Sequence, residues 1–219
     1  MILLKVKQKF FIDTHKGLTP LVIIALITFF NAWGNINAIV YLALHGTYGI
    51  LWATKSYIYP DKQWEIKVSI WYGFLIWIFL SFYWISAYII TSGNHIFEIK
   101  CLANLGEPFL GGLIVVYILG VFLHFTSDMQ KYTYLKLNPG NLITSEMFAK
   151  SRNTNYLGEL FIYLGFTLIA KDYLPLLALL TIIIFVWIPN MIKKDKSLSR
   201  YPDFNEYKNK SKAFFPFIF

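Results

Sequence analysis

Long apolar stretches alternate with short polar stretches along this chain, and the alternation predicts its secondary structure. Six apolar segments stand out: Leu18 to Trp33, Ile36 to Thr54, Ile66 to Thr91, Phe109 to Thr126, Tyr156 to Ala170 and Tyr173 to Ile192. A helix needs about 20 apolar residues to cross a bilayer, so the shorter segments should extend into flanking polar residues. The pattern predicts an all-α, polytopic membrane helix bundle with about six transmembrane helices.

The two ends of the chain predict further elements. The stretch before Leu18 is basic, and we expect it to form an amphipathic lead-in at the membrane surface. Near the other end, a short amphipathic helix is expected from about Pro202 to Lys212, with Phe204 and Tyr207 packed inward. The 57% hydrophobic and 19% aromatic content of the 219 residues supports a membrane protein, because soluble domains are less apolar.

Charge placement predicts the orientation of the bundle. If the N-terminus is inside, every lysine and arginine except Lys100 and Lys171 falls in an inside segment, as the positive-inside rule requires. Both termini are therefore expected on the cytoplasmic or matrix side, and the net charge of +8 needs no nucleic-acid partner. Cys101 is the only cysteine, which excludes an internal disulfide, and the four histidines are scattered, so no metal site is predicted.

Two polar clusters stand out in the C-terminal half, His124 to Lys131 and Ser151 to Glu159. Members of each are spaced as on one helix face: His124, Asp128 and Lys131 in the first, and Arg152, Asn155 and Glu159 in the second. The two faces could line a common pocket, or they could be interfacial charges at helix ends. We therefore divide the chain into helices of residues 1–106, which would form a substrate-side cavity, and a polar region of residues 107–219.

The polar region resembles the C-terminal region of the steroid 5-alpha-reductase family. The similar stretches are DMQK, RNTNYLGE and SLSRYPDFNEYKNKSKAFFPFIF, within roughly Val121 to Phe219. An Arg-x-x-Asn-Tyr-x-Gly-like motif also occurs in isoprenylcysteine carboxyl methyltransferases, but the ending KAFFPFIF favours the reductases. The resemblance implies a multi-helix membrane enzyme that encloses NADPH and transfers its hydride to an alkene conjugated with a carbonyl group.

The resemblance also implies roles for individual residues. Asn155 and Glu159 would bind NADPH near its nicotinamide and ribose, and Asp128 would bind its adenosine part. The remaining residues of the implied cofactor site are Lys131, Arg152, Tyr156, Arg200, Tyr207, Lys210 and Lys212. Arg152, Arg200 and one of the two tail lysines would meet phosphates, where charge-assisted hydrogen bonds are strong. Tyr156 and Tyr207 could instead pack or anchor the protein at the membrane interface.

The catalytic residues depart from the pattern of the steroid enzymes, which pair a tyrosine with an upstream glutamate to polarise the substrate carbonyl. The nearest candidates here are His45 and Tyr48, and the only acid before them is Asp13. A tyrosine without an acid partner is a weaker proton donor. The resemblance therefore implies cofactor binding more strongly than turnover.

Three functions are consistent with these patterns. The first is an NADPH-dependent membrane reductase of a conjugated C=C bond in a steroid-like or other lipid substrate. The second is a non-catalytic, reductase-like subunit of a larger membrane complex, such as a mitochondrial respiratory complex. The third is a methyltransferase that uses S-adenosylmethionine on lipids or prenylcysteine. In a eukaryote, the endoplasmic reticulum or the mitochondrial inner membrane would hold the protein.

Overall fold

A computed structural model describes residues 5–217 and divides the chain into two compact units. Unit 1 comprises Met1–Val115 and Gly165–Ala178, and unit 2 comprises Val116–Leu164 and Leu179–Phe219. Most of the described residues are helical. The α-helices are α1 Gln8–Phe29, α2 Ile36–Tyr41, α3 Thr47–Ile58, α4 Ile70–Ser81, α5 Trp84–Ser92, α6 Lys100–Ala103, α7 Glu107–Leu137, α8 Thr154–Thr167, α9 Tyr173–Ile182, α10 Ile188–Leu198 and α11 Phe204–Lys210.

Turns of other helix types join several of these helices into longer rods. A π-helical turn, Leu42–Gly46, joins α2 to α3, and another, Ile183–Trp187, joins α9 to α10. Three short 3-10 turns cover Lys62–Glu65, Glu146–Phe148 and Leu168–Ala170. The sheet consists of two strands, β1 Lys5–Lys7 and β2 Lys67–Ser69, paired antiparallel with Val6 opposite Val68.

The predicted all-α membrane bundle is confirmed. Within residues 5–217, five helices are long and apolar enough to cross a membrane: Gln8–Phe29, Ile36–Ile58, Ile70–Ser92, Glu107–Leu137 and Tyr173–Leu198. The remaining predicted segment, Tyr156 to Ala170, is mostly α8. Its 14 residues rise only about 21 Å, which is less than the ~30 Å hydrocarbon thickness.

The basic lead-in predicted before Leu18 differs from the structure. Helix α1 begins at Gln8, so the first membrane helix includes His15 and Lys16, which are 2% and 7% exposed. The physical reason is that the Lys16 ammonium lies over two aromatic rings of α3, Tyr48 at 4.2 Å and Trp52 at 4.4 Å from the ring centroids. Aromatic faces attract a desolvated cation, which lets a lysine enter the apolar interior.

Local sequence explains where several helices begin and end. The Asn35 side chain accepts a hydrogen bond from the backbone N–H of Asn37 at the start of α2, and Ser69 caps α4 in the same way. Gly93 ends α5 with φ of +70°, a left-handed conformation that favours glycine. These signals are readable in the sequence.

One buried carboxylate organises the loop that precedes α6. Asp172 accepts backbone N–H bonds from Ile96 at 2.8 Å and from Phe97 at 2.9 Å, and its other oxygen accepts one from Leu174 at 2.9 Å. Asp172 is 1% exposed, so these donors replace the water it loses on burial. It therefore fixes the start of α9 to the loop before α6.

Candidate functional site

In unit 2 the polar face of α7 is buried. His124 and Asp128 are each 2% exposed, and the His124 Nε2 atom lies 3.7 Å from Asp128 Oδ2. Lys131 Nζ lies 3.5 Å from the other Asp128 oxygen. The three side chains predicted to share one helix face thus lie side by side, with Asp128 at the centre.

Helices α7 and α8 approach closely beside this face. A Cβ atom at Gly158 would lie 2.8 Å from the Gly120 carbonyl oxygen, and one at Gly120 would lie 2.7 Å from the Gly158 oxygen. His124 Nδ1 lies 3.1 Å from the Asn155 carbonyl oxygen across the same contact. Two glycines therefore bring the two predicted polar clusters together.

The first turns of α8 supply three further predicted residues. Tyr156 packs its ring at 5.5 Å from Trp187, hydrogen-bonds Asn190, and has Glu159, Lys131 and Asp128 as electrostatic neighbours. The Oδ1 atom of Asn155 is buried and has no hydrogen-bond partner among the described residues. The α7 and α8 residues thus form one group, which we call the α7–α8 polar cluster: His124, Asp128, Lys131, Asn155, Tyr156 and Glu159.

Sequence reasoning missed one cation of this region, Lys194 on α10. Its Nζ donates to the Arg152 carbonyl oxygen at 2.5 Å and lies over the Phe148 ring at 5.3 Å. Lys131 and Asp128 are among its electrostatic neighbours. The sequence feature that could have pointed to Lys194 is its neighbour Asp195, which is the single acid in the lysine-rich end of the last membrane helix.

Arg152 is held by the end of α10 and by the C-terminal segment. Its Nε donates to Asp195 Oδ1 at 3.0 Å, its Nη2 donates to Asp195 Oδ2 at 2.9 Å, and its Nη1 donates to the Ser211 carbonyl oxygen at 2.8 Å. Arg152 is 5% exposed. This guanidinium therefore joins three chain segments, and a contact with phosphate stays a prediction.

The C-terminal segment is attached to the loop before α8 by a series of hydrogen bonds. Ser151 Oγ donates to the Phe214 carbonyl oxygen, and Asn153 Nδ2 donates to that of Ala213, each at 2.7 Å. The backbone N–H of Lys212 donates to the Lys150 carbonyl oxygen at 3.0 Å. The segment thus runs beside residues 150–153 as part of unit 2.

Helix α11 confirms the predicted amphipathic helix. Phe204 and Tyr207 are buried, while Lys208 and Lys210 are exposed. The Tyr207 hydroxyl donates to the Phe148 carbonyl oxygen at 2.7 Å, and burial raises the pKa of Tyr207 to about 12. Tyr207 is therefore a neutral donor that anchors the helix.

The other basic residues predicted for the cofactor are exposed. Arg200 donates to Ser197 Oγ at 3.0 Å and to the Tyr201 hydroxyl at 3.2 Å. Lys210 forms an ion pair with Glu206, one helical turn away. The Lys212 side chain is exposed, and its backbone carries the contact with the loop.

The two predicted catalytic residues lie in unit 1. Tyr48 is 0% exposed, and the ring of His45, 5% exposed, stacks on Phe166 at 4.3 Å. The Tyr41 hydroxyl lies 2.8 Å from His45 Nδ1. Asp13, the only acid upstream, accepts a hydrogen bond from Ser56 Oγ at 2.6 Å and another from the Trp52 side chain.

A family model described as "Protein of unknown function (DUF1295)" matches residues 1–211 of the chain. The match includes residues of both units. Among curated proteins, none matches the chain.

Proposed function

We propose that this chain, which belongs to the DUF1295 family of steroid 5-alpha-reductase-like membrane proteins, is an NADPH-dependent reductase. Its substrate would be a steroid-like or other lipid with a C=C bond conjugated to a carbonyl group. The substrate would enter from the bilayer, and both termini would lie on the cytoplasmic or matrix side. The α7–α8 polar cluster would bind the cofactor.

The observation that carries this proposal is the buried Asn155 Oδ1 atom, which lacks a hydrogen-bond donor among the described residues. Leaving a buried acceptor unsatisfied costs about 1–3 kcal/mol. An amide N–H, such as that of a nicotinamide carboxamide, would satisfy it. Glu159 lies one helical turn away and can accept from ribose hydroxyl groups.

The positions of the charged residues in unit 2 indicate which basic side chains would bind the phosphates of NADPH. Lys131 and Lys194 lie near Asp128, and the buried Arg152 pairs with Asp195, so each of these three cations has a carboxylate beside it. The exposed basic side chains of the C-terminal segment are therefore assigned to the phosphates: Arg200 and Lys212, together with Lys210, which would exchange its exposed ion pair with Glu206 for a phosphate. When bound, NADPH supplies a hydride.

The test is a titration of the purified, detergent-solubilised protein with NADPH, followed by thermal unfolding. Ligand that binds the folded state raises the unfolding temperature. We expect Asn155→Ala and Glu159→Gln to weaken binding by at least about tenfold, since each loses roughly 1.4 kcal/mol or more. Asn94→Ala, an exposed asparagine of unit 1, is the matched control and should bind NADPH like the wild type.

Two results would contradict the proposal. One is the absence of NADPH binding, and the other is binding that both substitutions leave unchanged. Stabilisation by S-adenosylmethionine but not by NADPH would assign the cluster to methyl transfer instead.

A second candidate function is a reductase-like subunit without turnover. It is favoured by Arg152, whose guanidinium holds Asp195 and Ser211 together as a structural connection. Native mass spectrometry of the complex extracted from its own membrane tests this candidate. A stable assembly with other membrane subunits supports it, and an isolated chain carrying NADPH contradicts it.

A further inference from the structure

The paired strands β1 and β2 of unit 1 place three lysines on one face. Lys7 lies directly opposite Lys67 in the register, and Val6 lies opposite Val68. Successive side chains point to opposite faces of a strand, so Lys5 shares the face of Lys7 and Lys67. All three lysines are exposed, whereas both valines are partly buried. We call Lys5, Lys7 and Lys67 the lysine face.

The positive charge of the lysine face is only partly balanced by the protein. Like charges directly opposite each other on paired strands are destabilising. Glu65 forms an ion pair with Lys7 at 2.6 Å and a second one with Lys9 in the first turn of α1, so one carboxylate serves two ammonium groups. Within residues 5–217, Lys5 and Lys67 form no ion pair. An anion from outside the chain would balance them.

Both strands lead directly into helices that are long and apolar enough to cross a membrane. Strand β1 ends at Lys7 and α1 begins at Gln8, while β2 ends at Ser69 and α4 begins at Ile70, the first residue of the candidate span Ile70–Ser92. A two-stranded sheet has unpaired backbone groups along its outer edges, and lipid-exposed edges of this kind do not occur in the hydrocarbon region. The lysine face therefore lies at the boundary of the bilayer, at the depth of the lipid headgroups.

The strands are held firmly to the two helices that follow them. The Gln8 backbone N–H donates to the Ile66 carbonyl oxygen at 2.8 Å, which extends the strand pairing to the first residue of α1. Gly73 of α4 packs against the Phe11 ring of α1, where an added Cβ atom would lie 2.0 Å from a ring carbon. The backbone that carries the lysines is thus preorganised, so a ligand would have to order only their side chains.

Large apolar side chains are exposed within one helical turn of these lysines. Ile66 directly precedes Lys67 and is 56% exposed, Phe10 in the first turn of α1 is 54% exposed, and Trp71 in the first turn of α4 is 70% exposed. Tryptophan is enriched where membrane proteins cross the interface between lipid and water. A ligand that matches both the lysines and these side chains has an anionic head and apolar chains, which a free phosphate ion lacks.

We propose that the lysine face binds the headgroup of an anionic phospholipid, with the acyl chains beside Phe10, Ile66 and Trp71. Lysines next to a membrane helix attract anionic lipids, and a headgroup phosphate between Lys5 and Lys67 would supply the charge that the protein does not. This inference goes beyond the proposed function, because the lysine face lies in unit 1 and the α7–α8 polar cluster lies in unit 2.

The test is thermal unfolding of the detergent-solubilised full chain with dioctanoyl phosphatidylglycerol, a short-chain anionic lipid. A ligand that binds the folded state raises the unfolding temperature, and the dependence on ligand concentration gives an apparent dissociation constant. We expect a saturable rise with phosphatidylglycerol. Dioctanoyl phosphatidylcholine has the same chains and a zwitterionic headgroup, and inorganic phosphate has no chains, so each should raise the unfolding temperature much less at the same concentration.

Three variants measure the contribution of charge. A lysine near an anionic lipid surface strengthens binding about fivefold, so Lys5→Gln/Lys67→Gln should weaken phosphatidylglycerol binding roughly 20- to 30-fold. Glu65→Gln removes the carboxylate beside the lysine face and should tighten binding about fivefold. The charge-matched control is Lys193→Gln/Lys196→Gln, which removes two exposed lysines from the end of the last membrane helix and should bind like the wild type.

The outcomes decide between a headgroup site and weaker explanations. Equal stabilisation of the wild type by both lipids overturns the headgroup site, and equal stabilisation by inorganic phosphate overturns a lipid as its occupant. Equal weakening in the two double-lysine variants also overturns the site, because it would reflect attraction to basic surfaces in general. If circular dichroism shows that Lys5→Gln/Lys67→Gln does not fold, Glu65→Gln decides: tighter binding supports the site, and unchanged or weaker binding overturns it. None of these outcomes depends on NADPH, so the proposed function is tested separately.

Discussion

Arg152 and Asp195 form a two-point ion pair, with N···O distances of 3.0 and 2.9 Å, that ties the loop before α8 to the end of α10. We expect Arg152→Met to lower the free energy of unfolding by about 1.5–3 kcal/mol, because charge-assisted bonds are lost and Asp195 keeps its charge. Arg152→Lys should not rescue it, since an ammonium cannot form the two-point pair. Thermal unfolding in detergent measures the loss.

Arg200→Met is the matched control for this prediction. Arg200 is exposed and bonds within its own segment, so its removal should change the free energy of unfolding by less than about 0.5 kcal/mol. Limited proteolysis should cut the C-terminal segment faster only in Arg152→Met. Equal stability of the two variants would contradict the assigned role of Arg152.

The contact between Gly120 and Gly158 predicts a second effect. Gly158→Ala places a methyl group 2.8 Å from the Gly120 carbonyl oxygen, so α7 and α8 must separate. We expect a loss of about 1–3 kcal/mol in unfolding free energy, together with weaker NADPH binding. Gly112→Ala, in the same α7 helix but with no atom within 4 Å of the new methyl group, should be neutral or slightly stabilising. Similar losses in both variants would contradict a tight helix contact.

Asp172 predicts a third effect, on the loop before α6. Asp172→Ala leaves the N–H groups of Ile96, Phe97 and Leu174 without their acceptor, which should cost at least about 2 kcal/mol. Asp203→Ala is the control, because Asp203 precedes α11 without a side-chain capping bond. Faster hydrogen exchange at residues 96–97 in Asp172→Ala alone would confirm the role, and unchanged exchange would contradict it.

Glu65 predicts a pH dependence next to the paired strands β1 and β2. Hydrogen bonds from Lys7 and Lys9 lower the pKa of Glu65 below its usual value of 4.5. The contribution of the ionised Glu65 carboxylate to the free energy of unfolding is therefore present above pH 4.5, and it is lost as the pH falls through the lower pKa of the folded state. The difference in unfolding temperature between wild type and Glu65→Gln should be constant near neutral pH and shrink in acid. A difference independent of pH would exclude this ion pair as a stabilising contact.

Helical spacing predicted the grouping of the polar residues. His124, Asp128 and Lys131 share a face because one helix, α7, carries them without interruption. The inward faces of Phe204 and Tyr207 were predictable in the same way. Periodicity suffices for such residues because their partners lie on the same element or directly beside it.

The sequence could not predict the features that depend on contacts between residues far apart in the chain. Lysine next to an apolar run usually marks the interface, so the sequence predicts a surface lead-in for Lys16, whereas its burial involves contacts with the rings of Tyr48 and Trp52 on another helix. The engagement of Arg152 with Asp195 joins residues 43 positions apart. No local pattern reports such a pairing.

The π-helical turn at Leu42–Gly46 adds one residue to the rod formed by α2 and α3. Each residue of an α-helix turns the chain by about 100°, so this extra residue resets the angular phase of everything after it. A helical wheel drawn from Ile36 through Ile58 therefore misassigns one half of the rod. The direction in which Tyr48 faces Lys16 is thus encoded by a single inserted residue upstream.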